Sequence, residues 1–251
     1  MELPAYVHLG PLAVHPHWLF ETLSYLVGAR LYVALKARSG DPLPAEQRWS
    51  IVAAAMVGAV IGSRLLAWIA EPGLAQAQGA LLLIAVGGKS VVGGLVGGFL
   101  AVEWIKRRLG VTRSTGDVFA IPLAVGIGIG RIGCFLTGLD DHTHGLPASL
   151  PWAVDYGDGI PRHPAQLYEI AFVWLLAFGL AYYARFPRRE GDLFKAFFIA
   201  YLGFRLALEF LKPGVAIAGL NAIQWVCLAV LLYYGSQVPY AAWRKARLAH
   251  G

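Results

Sequence analysis

Seven stretches of this chain are apolar almost throughout. They run over residues 15–36, 49–70, 79–105, 117–138, 165–185, 193–211 and 220–243. A bilayer crossing takes about 20 residues as a helix. Backbone groups in lipid must bond within their own segment, so the predicted elements are helices. The polar positions between the segments are not evenly shared. Lys and Arg cluster after segments one, three, five and seven, where fourteen of the 21 fall; the alternate connections hold two, Arg162 and Lys212. Lys36, Arg185 and Lys195, counted with the connections, stand at segment ends, and five lie further inside: Arg30, Arg64, Lys89, Arg131 and Arg205. That asymmetry predicts an N-terminus outside and a C-terminus in the cytoplasm, a parity that seven crossings satisfy. The expected fold is an all-α integral membrane protein, a single transmembrane domain over residues 1–251.

Composition strengthens this reading. The chain is 57% hydrophobic and 14% charged, with a mean hydropathy of +0.58, against about 25% charged in soluble domains. A net charge of +6 would suggest a nucleic-acid partner in a soluble protein. Here the charge sits in the connections, and no nucleic-acid motif accompanies it. Cys134 and Cys227 both lie in apolar runs and read as neither a disulfide framework nor a metal site. No cofactor is expected. The N-terminal "MELPAYVHLG" lacks the basic region of a cleavable signal peptide. No internal repeat is visible, which argues against a transporter built from inverted halves.

The connection over residues 139–164 is long, with four aspartates and three histidines among Gly and Pro turn formers. It is expected outside the membrane, and its length points to a functional loop. His142 and His144 within it form only an H-x-H pair, a weak metal signal.

Charges at membrane depth are costly and mark partners or cavities. Arg131 sits in "GIGIGRIGCFLTG" (126–138), where G-x-G-x-x-G imitates a dinucleotide fingerprint. That fingerprint needs a strand, a turn and a helix in a soluble α/β unit, and an apolar helix excludes it. "GGKS" (87–90) has Leu83 where a phosphate-binding loop needs Gly. The glycines read as room for close helix packing, which leaves the arginine to be explained. Arg205 and Glu209 are four apart and share a helix face: a structural ion pair, or an anion site in which the guanidinium forks onto phosphate oxygens. Arg64 is a further candidate, with snorkelling to the interface as its alternative. "RHPAQLYE" (162–169) opens the fifth helix and gathers Arg162, His163, Gln166, Tyr168 and Glu169.

"YLVG" (25–28), "GGKSVVGGLVGG" (87–98), Asp117, "GRIGCF" (130–135), "PRHPAQLYE" (161–169), "YLGFRLALEF" (201–210) and Gln224 together resemble the prolipoprotein diacylglyceryl transferases. The resemblance implies an enzyme of the bacterial inner membrane. It would move the diacylglyceryl group of phosphatidylglycerol to the lipobox cysteine thiol of a prolipoprotein, with glycerol phosphate leaving and a thioether forming. It implies phosphate binding and charge stabilisation by Arg131 and Arg205, with Tyr201 and Glu209 orienting them. His163, Gln166, Tyr168 and Glu169 would shape the outer mouth. The chain departs from the family pattern in four places. Val92 stands where the family reads His, Cys134 where it reads Asn, Glu21 where it reads Tyr, and "TGLDDHTHG" where it reads "NGExxG". His142, His144 or Glu21 is expected to supply the missing base. The alternatives are a phospholipid-using enzyme with another acceptor, and a non-enzymatic membrane transporter or scaffold.

Overall fold

A computed structural model describes residues 4–9, 12–40, 43–71 and 88–249. The described residues are dominated by helices: α1 (Pro16–Ser39), α2 (Ala45–Ala70), α3 (Val91–Arg108), α4 (Asp117–Thr137), α5 (Ala165–Tyr183), α6 (Asp192–Leu208) and α7 (Ala222–Ala249). Each overlaps one predicted segment, although in the third Gly88–Ser90 stand before the helix. The stretch 79–87 of the third lies outside the described residues. Two 3-10 turns follow α4 and α6, at Gly138–Asp141 and Glu209–Leu211. The strands are minor: a hairpin of β1 (Val7–Leu9) with β2 (Leu12–Val14), and a two-residue pair of β3 (Val154–Asp155) with β4 (Pro161–Arg162).

Three helical stretches among the described residues are long and apolar enough to cross a membrane: Ala45–Ala70, Asp117–Asp141 and Ala165–Tyr183. α3 and α6, at 18 and 17 residues, fall short of the usual span. Polarity is inverted relative to a water-soluble protein. Met56, Val60, Leu175 and Phe178 are exposed, whereas Arg131, Gln166, Glu169, Arg205, Glu209 and Gln224 are buried. Apolar exposure with polar burial is what a lipid solvent selects.

The chain divides into two compact units. In the first, Met1–Trp49, Leu109–Phe198 and Phe210–Pro213, α4 packs between α1 and α5. Glycines set the spacing. A Cβ at Gly133 would meet Phe20 Cβ at 2.8 Å and His17 Cα at 3.3 Å, and one at Gly128 would strike the Trp174 ring. At one end of this unit the connections are tied together. The Asp117 carboxylate accepts from the backbone N–H groups of Gly191 (2.9 Å) and Phe194 (3.0 Å), capping the start of α6 from α4. Arg113 pairs with Glu190, and Arg48 reaches the Thr115 carbonyl at 3.5 Å. At the other end lie the starts of α1 and α5, the end of α4 and the 139–164 loop. That loop is ordered by its own bonds. Asp155 Oδ1 accepts from Gly157 and Gly159 N–H, Arg162 forks onto Asp158 at 2.6 Å, and the Leu146 N–H donates to the Leu211 carbonyl at 2.8 Å.

In the second unit, Ser50–Arg108, Ile199–Glu209 and Gly214–Gly251, α2 and α3 pack backbone to backbone. A Cβ at Gly62 would collide with the Gly93 carbonyl, and one at Gly97 with the Gly58 carbonyl. α7 opens with a reciprocal cap: Gln224 N–H donates to Asn221 Oδ1 and Asn221 N–H to Gln224 Oε1, both at 2.8 Å.

These contacts predict a contrast between neighbouring glycines. Gly62→Ala pushes a methyl group into a backbone carbonyl that cannot rotate away, and is expected to cost about 1–3 kcal/mol. Gly94→Ala, whose Cβ would meet its nearest atom at 3.5 Å, is expected to be neutral. Thermal unfolding of the two variants in detergent measures the difference.

Candidate active site

The Arg131 guanidinium is buried near the end of α4. Its Nε stands 2.9 Å from Glu169 Oε2 on α5, with both side chains less than a tenth exposed. "RHPAQLYE" therefore works as more than a helix start: its last residue is the counter-ion of Arg131. Glu169 faces inward, whereas a place at the outer mouth was expected for it. Arg131 Nη1 also donates to Cys134 Sγ across 3.7 Å.

Beside Cys134 stands a residue the sequence did not single out. His17, in the first turn of α1, reaches Asp141 Oδ1 through Nδ1 at 3.0 Å, while its Nε2 is 3.7 Å from Glu21 Oε2. The Thr143 hydroxyl donates to Asp141 Oδ2 at 2.5 Å and accepts from Gln166 Nε2 at 3.2 Å. Gln166 Oε1 in turn accepts from the Tyr156 hydroxyl at 2.9 Å. A continuous polar chain thus runs from the buried loop residue Tyr156 to His17. Burial pushes the Tyr156 pKa up to about 12, so its hydroxyl stays a donor at neutral pH. Gln166 holds the loop to α5, a role its position in the motif does not reveal.

The remaining candidates of this unit are spread around the chain of bonds. The Trp152 indole N–H donates to the Tyr168 oxygen at 2.8 Å, and the Tyr168 hydroxyl is hydrogen-bonded to His163 Nδ1 at 3.2 Å. His142 is exposed, with a left-handed φ of 53° at the end of the 3-10 turn. His144 is half-buried and lies 6.1 Å from the Tyr156 ring. Its Nδ1 is buried without a hydrogen-bond partner among the described residues. Burial first, then the charge of Arg162, holds the His144 pKa below the ordinary value. Its imidazole is neutral at pH 7.

The second unit holds Arg205 and its partners. Arg205 pairs with Glu209, as the four-residue spacing predicts, and Glu209 Oε2 accepts from Asn221 Nδ2 at 3.1 Å. The cap of α7 thereby fixes the carboxylate that holds the guanidinium. Tyr201 is fully buried one turn before Arg205. Arg64 is half-buried, and its Nη1 donates to the Gly88 carbonyl at 3.4 Å. Val92 is fully buried in α3.

The sequence profile of the family described as prolipoprotein diacylglyceryl transferase matches residues 4–236. The chain belongs to that family. Among curated members, the phosphatidylglycerol–prolipoprotein diacylglyceryl transferase of Bordetella avium is 31% identical over 245 residues, covering 91% of this chain and 90% of that protein. The one from Bordetella parapertussis is 32% identical over 247 residues, covering 91% of each. The Nitrosomonas europaea enzyme is 31% identical over 259 residues, covering 96% of this chain and 90% of its own length. The diacylglyceryl transferase match contains both buried arginine–carboxylate pairs.

Removing one member of a buried ion pair leaves the other uncompensated, at a cost of about 3–5 kcal/mol. Glu169→Gln is therefore expected to destabilise the protein markedly, and Arg131→Met with Glu169→Leu together to recover much of the loss. A double-mutant cycle on unfolding in detergent gives the coupling.

Proposed function

We propose that this chain transfers the diacylglyceryl group of phosphatidylglycerol to the lipobox cysteine thiol of a prolipoprotein, at the outer face of the bacterial inner membrane. The reading includes seven crossings with the N-terminus outside. It is supported by the way Arg48, Thr115, Arg113, Glu190 and Asp117 tie three basic connections to one end of the first unit. The observation that carries the function is the Arg131–Glu169 pair in a chain of this family. A permanent cation, oriented by a carboxylate and sheltered from water, suits a reaction whose leaving group is a phosphate.

The thiol of the acceptor loses its proton, and the thiolate attacks the glyceryl carbon that bears the phosphate. The C–S bond forms as the C–O bond breaks, and the electron pair leaves with glycerol phosphate. Arg131 binds the phosphate and stabilises the developing charge. Arg205, oriented by Glu209 and Asn221 within its own unit, has the same phosphate-binding role, with Tyr201 packed before it. The thiol has an ordinary pKa of about 8.5, so a proton acceptor is needed. His144 fits that role better than the exposed His142, because it is neutral and its buried Nδ1 is unpartnered. His163 and Tyr168, joined to Trp152, line the outer approach for the peptide.

Complementation of cells depleted of their own transferase tests the reading. The chain is expected to restore lipid labelling of a lipobox cysteine, and Arg131→Ala to abolish it. His144→Ala is expected to lower the rate by about 100-fold or more, and His142→Ala to have little effect. A properly inserted chain that never labels the cysteine would remove the proposal and turn attention to another acceptor.

A further inference from the structure

We propose that His17, Cys134 and Asp141 form a binding site for a divalent cation of the zinc type, with an open coordination position for the acceptor thiol. The proposal rests on the transferase reading for the identity of the thiol, but not for the metal. One imidazole nitrogen, one thiol sulfur and one carboxylate oxygen lie within 4.8 Å of one another, brought from two helices and a 3-10 turn. Gly133 makes the arrangement possible, since any side chain there would push His17 away from α4. Tetrahedral zinc, with bonds of about 2.0–2.3 Å, sets neighbouring ligand atoms roughly 3.3–3.8 Å apart. The trio needs side-chain adjustment of about 1 Å to close on an ion.

The donor set is the kind that zinc selects. A thiolate, an imidazole and a carboxylate bind a borderline-soft cation, and three protein ligands leave the fourth position free, as in catalytic sites. The surroundings support the ligands in the way metal sites require. His17 turns Nδ1 inward while its Nε2 faces Glu21, and Asp141 keeps its second oxygen on the Thr143 hydroxyl. The Arg131 guanidinium donates to Cys134 Sγ, which fixes the direction in which the sulfur faces. His17 is the most open of the three side chains, at 31% exposure.

The chemistry favours a ligand role over a nucleophilic one for Cys134. If Cys134 itself took the diacylglyceryl group, the product would be a thioether on the enzyme. That C–S bond has no good leaving group and could not be passed on. As a ligand, Cys134 would instead help hold a cation that lowers the pKa of the incoming thiol. The proton would pass to His144 or to water, and the C–S bond would form as the glyceryl C–O bond breaks and glycerol phosphate leaves. This accounts for Cys134 and for the absence of a histidine at Val92 by one change of mechanism.

The test uses the full chain purified in detergent, stripped with a chelator and reloaded with zinc or cobalt(II). About one zinc per chain is expected, and the cobalt form should show a sulfur-to-metal charge-transfer band with the strong visible bands of a tetrahedral site. Cys134→Ser should lose the charge-transfer band, His17→Ala should weaken zinc binding at least tenfold, and Cys227→Ser should change neither. Absence of stoichiometric metal in the unmutated chain, or a charge-transfer band that survives Cys134→Ser, overturns the proposal. Lipid labelling by a chain that binds no metal removes the site and leaves the transferase. Metal binding with the expected spectrum in a chain that never labels the cysteine keeps the cation site and removes the transferase.

Discussion

A guanidinium in an apolar helix needs an anion beside it, and here Glu169 is that anion for Arg131. Much else in the first unit follows from this requirement. The carboxylate must come from a neighbouring helix at the right depth, so α5 has to begin where it does. The glycines of α4 must let α1 and α5 approach the arginine. The 139–164 connection is tied to α5 one turn before Glu169, through the bonds of Gln166 to Thr143 and Tyr156. Arg205 meets the same requirement within a single turn, by pairing with Glu209, whose second oxygen is held by the cap of α7.

The helices were legible because lipid demands length and apolarity from contiguous residues, and the basic clusters mark where those demands stop. Every predicted segment overlaps a helix, and only the third departs clearly at its start: among the described residues its helix begins at Val91, after the non-helical Gly88–Ser90. The Arg205–Glu209 pair was legible for a similar reason, since partners four apart on a helix face each other. The Arg131–Glu169 pair was only half legible. Both residues were marked by their motifs, but nothing local says that one faces the other.

His17 and Asp141 were not found at all. The 116 residues between His17 and Cys134 hide a contact that depends on α1 and α4 packing side by side. One clue existed: the predicted topology puts the start of the first helix and the end of the fourth at the same face. Asn221 escaped notice as well, because a capping residue looks ordinary until its spare amide is seen on a buried carboxylate.

The contacts between α2 and α3 have a consequence for motion. Gly58 and Gly62 meet Gly97 and Gly93 at four-residue intervals, as notches on two facing racks. Four residues of helix rise about 6 Å, so small slips would drive a side chain into a backbone. One helix can therefore move along the other only by a whole notch or not at all. The pair behaves as a single stiff rod, and any rearrangement that admits a lipid has to come from elements whose contacts are made by side chains.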